Sequence, residues 1–548
     1  MPPALRQPYD VAILGSGIVG SMLGAILARN GARVVLLDRA VHPRFAIGES
    51  VTSQFLLMLR VLAQRYRVPE IMVLADVHRS TKVISNTFGV KRHFGFMMHT
   101  DGQEPDPAHD HLLATPAMMR HAAHLFRQDS DAYLFRVAAR YGCDARQGWR
   151  LAAIDIDDGG VTLVSDTDEL YRARFLVDAS GSRSVLADRL DLRERPARLR
   201  HRSRSIFTHM VGVRWLDDVL APGRPRPPLP WHSGTMHHLF AGGWFWMIPF
   251  DNHADSGNPL CSVGLTLDER AYPADRAVDP ADEFSRHAAR FPAVARQLAA
   301  ARPVREWVST GRLQYSSTRT VGYRWCLMSH AAGFVDPLFS TGLASSAEVV
   351  HALAGRLLAA LADDDYSVER FRPVEEVDQR LLDHNDLLVR SAFTAFAHPR
   401  LWDAVFRVWA TGPVPGLLGL AETLRRAVRT GDHSALDAPP SGPGLLLAGQ
   451  QAYLDLLDRT AAACEEFARG AVTGDAAADA VVAALDRAGR VPPIGWRGRD
   501  RRMLAPRAAD PARLLMWTVR DAPPGLRDRK WRVAVELVRS IVSDQSPV

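Results

Sequence analysis

YDVAILGSGIVGSMLGAILARNGARVVLLD, residues 9–38, is the stretch that decides the fold. Residues 9–14 are a short apolar run, as a strand buried on both faces of a parallel sheet reads. Gly15, Gly17 and Gly20 follow with G-x-G-x-x-G spacing. The first glycine permits a tight turn, the second lets backbone approach a pyrophosphate, and the third lets helix and strand pack closely. The spacing predicts a helix to about Asn30, with Gly31 as its C-cap. Its N-terminus offers unpaired N–H groups to phosphate. The next strand, 33–38, ends on Asp38, where a carboxylate can bind ribose hydroxyls. This is a βαβ unit of an α/β dinucleotide-binding fold. The uncharged run 11–28 has the length of a membrane span. Asp10 directly precedes it, and its four glycines also argue against a signal segment.

Composition agrees. The chain has 548 residues, enough for three or four structural units. Hydrophobic residues are 47% and charged residues 23%, which excludes a disordered, collagen-like or coiled-coil chain. A net charge of +6 is too mild to suggest a nucleic-acid binder. Four scattered cysteines without a CxxC exclude a disulfide framework and argue against structural zinc. No metal site and no membrane association are expected, and the protein is read as soluble and cytoplasmic. Only Lys82, Lys91 and Lys530 are lysines, against 64 arginines. A retained lysine is therefore informative in this chain.

Further along, 127–142 has helical periodicity, and 161–165 and 173–181 read as strands. Alternating stretches at 206–215 and 260–268 predict an inserted antiparallel sheet. A strand returns at 325–331, followed by a helix over 342–362, and the chain is mostly helical after 365. The expected units are a discontinuous dinucleotide-binding domain (1–190 and 320–365), a substrate-domain sheet (191–319), a helical region (366–437) and, past the linker APPSGPG (438–444), a helical extension (445–548). The C-terminal helices have two open roles, capping a large pocket or forming a homodimer contact. Six arginines between Arg193 and Arg204 read as a solvated loop, or as a dock for an acidic partner.

VDASGSRS (177–184) and AAGFVDPLFSTGL (331–343) resemble the flavin-holding segments of the p-hydroxybenzoate-hydroxylase superfamily. Arg127, with Asp131, Leu134, Ala138 and Gly142, resembles its R-x3-D-x2-L…A-x3-G helix, and PRFAIGES (43–50) its flavin-contacting loop. The resemblance implies FAD, held by Gly15, Gly17, Gly20, Asp38, Ser50, Arg127, Asp178 and Asp336. One departure is Ser329-His330, where the superfamily has Gly-Asp. No second dinucleotide fingerprint appears, which fits transient nicotinamide binding or FADH2 delivered by a separate flavin reductase.

WFWMIP (244–249) matches W-x-W-x-I-P, the signature of flavin-dependent halogenases, and Lys91 and Phe96 in GVKRHFGF match that family's K-x4-F segment. The alternatives are a tryptophan-rich core strand and a surface lysine. The resemblance implies that Trp244, Trp246 and Pro249 partition flavin from substrate. It further implies that chloride or bromide binds at Thr341 and Gly342 and attacks a flavin hydroperoxide. Lys91 then receives the hypohalous acid. An amine can form an N-halo species, which arginine does not readily do. Phe339 stands where indole-acting members carry Glu, so the resemblance implies a phenolic substrate, with Phe96 and Phe339 at its pocket. Segments such as HFGFMMHTDGQEPDP (93–107) and GTMHHLF (234–240) are similar to phenol halogenases of the chlortetracycline-pathway type, making polyketide-type natural products. His93, His99, His237 and His238 are candidates to line the pocket or bind a phenolate, or are simply packed. An NAD(P)H-dependent aromatic hydroxylase and a non-catalytic flavoprotein remain the alternatives.

Overall fold

The computed structural model describes residues 8–115, 119, 121–437, 442–488, 502–504, 516 and 520. In chain order the principal elements begin with β1 (Tyr9–Leu14), α1 (Ile18–Arg29), β2 (Val34–Asp38), α2 (Ser53–Tyr66), β3 (His93–Met98), β4 (His111–Ala114) and α3 (Arg127–Arg140). Next come β5 (Asp144–Gln147), β6 (Leu151–Asp157), β7 (Gly160–Ser165), β8 (Leu170–Asp178), β9 (Ser203–Val211), β10 (Thr235–Phe240), β11 (Gly243–Pro249) and β12 (Cys261–Asp268). Then follow α4 (Pro280–Ala289), α5 (Pro292–Leu298), β13 (Trp325–Leu327) and α6 (Gly342–Asp363). The helices α7 (Val368–Ala395), α8 (Pro399–Thr411), α9 (Val414–Thr430), α10 (Gln451–Ala468) and α11 (Gly474–Ala488) precede β14 (Met503–Leu504).

The first sheet runs β13-β8-β1-β2-β5 in parallel, with the antiparallel hairpin β6–β7 hung on β8 and a short antiparallel edge, Val321–Gly322, on β13. β1 is apolar because it is central and covered on both faces. Its register puts Leu14 beside Asp178, so the glycine turn after β1 meets the end of β8. Gly15 has φ +98°, and a Cβ there would lie 2.5 Å from Ala179 O. A Cβ on Gly20 would lie 2.0 Å from Gly15 O, so close helix–strand packing demands glycine.

The second sheet runs β9-β12-β11-β10-β3-β4-β14. It is antiparallel except where β3 joins β10 and β14 joins β4. It is therefore a mixed sheet and is not confined to 191–319. Two of its strands come from the segment read as FAD-binding, and one from the extension read as helical. These pairings join strands far apart in sequence and leave no local pattern to read. Every residue of β11 is buried, because both faces are covered. Met236, Phe245 and Met247 face α4 and α5, with Phe284 and Phe291. Phe96, Leu239, Trp244 and Trp246 face α7, α8, α10 and α11.

The arginine run is solvated in part: Arg195, Arg198, Arg200 and Arg202 are exposed, but several of its arginines are also paired. Arg193 donates to Ala331 O at 2.9 Å, Arg198 to Asp383 at 3.1 Å and Arg200 to Glu465 at 3.0 Å. Arg204 is buried, paired with Glu283. The run ties the sheet to both neighbouring regions. A second stretch also has the composition of a membrane span: the helical run Pro399–Thr430, most of which is buried inside the protein. Residues 438–441 of the linker, 489–501, and all but two of those after 504 lie outside the described residues.

Candidate active site

Asp38 closes β2 beside the glycine turn. Its carboxylate accepts from Ser16 N at 2.7 Å, Ser16 Oγ at 2.8 Å and Ala40 N at 2.8 Å. Burial alone would raise its pKa. Those hydrogen bonds and the Arg44 guanidinium, 3.3 Å away, hold it below the usual carboxylate range instead. Gly17 is N-cap of α1. A Cβ on it would project between Arg44 and Asp131, at 3.6 and 3.7 Å. Only glycine leaves that slot open in front of the helix N-terminus, which is where a pyrophosphate needs it. The residues present fit FAD.

Arg127 opens α3 and holds the loop 45–50. It pairs with Asp131 at 2.8 Å and also donates to Ile47 O. Glu49 in that loop lies 2.6 Å from His209 on β9, joining loop to sheet. Two residues expected at the cofactor are engaged by their own surroundings. Asp178 accepts from Ser180 N, Ser180 Oγ, Ser184 Oγ and Leu186 N at 2.5–3.1 Å, so its carboxylate is filled from within. Asp336 is engaged in the same way by Ser203, His201 and Leu338 N. Both shape the turns around them. Where the superfamily has Gly-Asp, Ser329 takes φ +51° and bonds Ser346 at 2.5 Å. The His330 ring lies over Gly342, within 3.0 Å of where a Cβ would stand.

Lys91 precedes β3 and is fully buried. Its Nζ donates to Ser50 Oγ at 2.5 Å and Val51 O at 2.6 Å, and lies 3.3 Å from the Phe94 ring centroid. Burial without a carboxylate partner pushes its pKa well below the usual lysine range. A ring face returns only ~0.5–2 kcal/mol to a cation. Burying an ion costs several kcal/mol, so the uncharged amine is favoured.

The hydrogen bonds around Lys91 have a fixed direction. Pro249 O can only accept, so His124 Nδ1, 3.0 Å away, carries the hydrogen. Burial lowers the pKa of His124 to about 3, so the ring is neutral and Nε2 accepts from Thr235 Oγ1 at 3.0 Å. Thr235 must then accept from Ser50 Oγ at 2.8 Å. Ser50 in turn accepts from Lys91 and from Ser340 Oγ at 3.0 Å. Ser50, expected on the cofactor, thus links its loop to the lysine and to the turn before α6. Pro249, expected in the flavin–substrate wall, contributes its carbonyl to His124. Sequence reasoning passed over Thr235 and His124, since a lone Thr or His on a strand carries no signal of its own.

The turn 340–342 caps α6 with Thr341, and Ser340 takes φ +53°. The N–H groups of Gly342, Leu343 and Ala344 have no acceptor among the described residues. These are the orphan donors of a helix start, and the helix dipole adds to their positive field. Trp244 and Trp246 lie on one face of β11, 5.6 Å apart. A Cβ on Gly264 of β12 would sit 2.0 Å from the Trp246 indole, so that glycine makes its room. Phe339 stacks on Trp409 at 4.7 Å, and Trp409 meets Phe94 and Phe96 edge-on at 5.4 and 5.6 Å. The expected pocket residues Phe96 and Phe339 are joined through this tryptophan, which no motif flagged.

The sequence model of the tryptophan halogenase family matches residues 91–403. Tetracycline 7-halogenase of Kitasatospora aureofaciens is 50% identical over 527 residues, 95% of each chain. Monodechloroaminopyrrolnitrin halogenase PrnC of Pseudomonas fluorescens is 42% identical over 87% of this chain and 84% of its own. Halogenase PltM, solved with phloroglucinol and FAD, aligns with a TM-score of 0.87 at 33% identity, covering 90% of this chain and 99% of that one. The hydroxylase and non-catalytic alternatives give way. With these relatives beside the buried lysine, the paired tryptophans of β11 and the glycine turn at Asp38, the chain belongs to the tryptophan halogenase family, whose members halogenate aromatic rings using reduced FAD and halide.

Proposed function

We propose that this halogenase places chlorine or bromine on a phenolic ring of a polyketide-type natural product, with Lys91 as the residue that handles the electrophilic halogen. The observation that carries the reading is Lys91 itself, wholly enclosed, with no counter-ion among the described residues and against the Phe94 ring. An uncharged Nζ keeps a lone pair for an electrophilic halogen, whereas an ammonium has none.

The residues that would hold the cofactor are Gly15, Gly17, Gly20, Asp38 and Arg127; when bound, reduced FAD with dioxygen supplies the oxidation of halide. The N–H groups of Gly342, Leu343 and Ala344 are the donors for halide. Trp244 and Trp246 stand as the wall between cofactor and substrate. Ser50 and Val51 O fix Nζ in place. Phe339 offers no base, which suits a phenol, since its own oxygen activates the ring. Tetracycline 7-halogenase and the phloroglucinol bound to PltM support a phenolic substrate. A flavin reductase acting in trans is the proposed source of electrons.

The test combines purified protein, FAD, a flavin reductase, NADH, chloride or bromide and a panel of polycyclic phenols, read by mass spectrometry. Halogenated product is expected, and it should disappear in Lys91→Ala while FAD binding persists. A product gaining one oxygen with NAD(P)H and no reductase overturns the proposal, as does a Lys91→Ala variant that halogenates normally.

A further inference from the structure

We infer that His237 is the residue that accepts the phenolic O–H of the substrate and takes its proton as the halogen is transferred. The inference rests on the phenolic reading above and names its missing base.

His237 lies in the middle of β10, paired with Phe96 on one side and Trp246 on the other. It belongs to the sheet face that also carries Phe94, Phe96, Trp244 and Trp246. Its ring is held between Phe96 at 4.5 Å, Trp244 at 5.3 Å and Phe94 at 5.9 Å, within 32° of parallel to each. Phe94 is the ring that Lys91 lies against, so His237 and Lys91 flank one aromatic side chain.

The tautomer is fixed. Nδ1 is 3.0 Å from Gly95 O, which can only accept, so Nδ1 carries the hydrogen. Nε2 of the neutral ring is then a bare acceptor, and it has no partner among the described residues. A hydroxyl donor on the substrate supplies its partner. Of the neighbouring histidines, His124 has both nitrogens engaged. His93, His99 and His238 each also leave one ring nitrogen unpaired among the described residues, but His93 packs on Trp231 and His99 on Phe291 and His238, away from the face that carries Phe96 and Trp244.

The titratable groups facing the ring are Lys91, His93 and His238, all buried and with lowered pKa values. Burial is the main cause that lowers the His237 pKa to about 3, so the ring stays unprotonated and able to accept at neutral pH. Weak basicity is sufficient here. As the ring carbon bonds halogen and the bond from halogen to its carrier breaks, the electron pair of that bond leaves with the carrier. The phenolic O–H becomes strongly acidic in that step and passes its proton to Nε2, giving a neutral dienone. Loss of the ring C–H proton to the departing carrier, and return of the proton from Nε2 to oxygen, restores the halogenated phenol. Ring carbon is oxidised and halogen reduced, and the base is regenerated.

The test compares the parent with His237→Phe, which keeps the stacking, and His237→Gln, which keeps an acceptor but not a base. Initial rates are read on phenols of graded acidity. A positioned base contributes about 10²–10⁴-fold. His237→Phe is therefore expected to lose at least tenfold on weakly acidic phenols. The loss should shrink toward none on phenols already ionised at the assay pH, with His237→Gln between. A loss equal across the series, or no loss, overturns the inference alone. The same slope is read on His237→Gln, so a Phe variant that fails to fold does not remove the test. Absence of halogenated phenol from the parent overturns the phenolic reading and the inference with it.

Discussion

Lys91 is an amine whose proton the folded chain holds less tightly than the unfolded one, and that has a thermodynamic consequence as well as a catalytic one. Wherever the two states differ in protonation at this group, it opposes folding. The opposition is full below the folded pKa and fades as pH rises toward the ordinary lysine value. Lys91→Met, of similar length and apolar, should therefore raise the melting temperature at neutral pH, even after its hydrogen bonds to Ser50 and Val51 are lost, while abolishing halogenation. The gain should narrow on going to pH 10. A variant less stable than the parent at every pH would show that Lys91 is charged in the fold. This residue was readable because lysine is rare in the chain; the partners that fix it were not. Ser50, Thr235 and His124 come from three separate segments and meet only through folding. Asp178 and Asp336 illustrate the opposite limit, since a motif identifies a carboxylate without telling whether its oxygens face a ligand or its own turn.

Among the elements, β1, α1 and β2 were legible because three glycines and an acidic residue each answer a backbone demand that no other residue meets as well. β11 was legible by its tryptophans, but not the glycine that admits them. Gly264 lies across from Trp246 on β12, and the indole occupies the space a side chain would fill. Gly264→Ala should force the indole away, at about 1–3 kcal/mol for overpacking a filled core. Melting temperature and tryptophan fluorescence should both change, and halogenation should fall with them if the wall has moved. Gly419 in α9 is the comparison, since nothing lies within 4 Å of a Cβ there. Gly419→Ala should stabilise by roughly 0.4–1 kcal/mol through the unfolded chain. Equal melting temperatures for the parent and Gly264→Ala would mean that the sheet yields more readily than the packing implies.

At the scale of the whole molecule, the site is closed by a region that carries no signature. α8 brings Trp402, Phe406 and Trp409 onto Phe96 and His111, so the helical region covers the face of the sheet proposed to bind substrate within one chain. Composition could suggest helices after 365 but not where they dock, because a helix apolar on a broad face fits many surfaces. One carboxylate fixes this docking. Asp403 on α8 lies 3.1 Å from His111 Nε2 on β4, 3.1 Å from Arg407 and 3.5 Å from Arg502, next to the strand β14 that pairs with β4. Burial would raise its pKa, but His111 and Arg407 hold it below the usual carboxylate range. A depressed carboxylate stabilises the fold above its unfolded pKa, and that stability is lost as pH falls through the folded value. Asp403→Asn should therefore melt below the parent at pH 7, and the two should converge as the pH is lowered through the range where aspartate titrates. Because α8 carries part of the aromatic cover, substrate KM should rise in Asp403→Asn while FAD affinity stays put. A variant that loses FAD and substrate together would instead make α8 a support for the whole enzyme rather than a lid on one side of it.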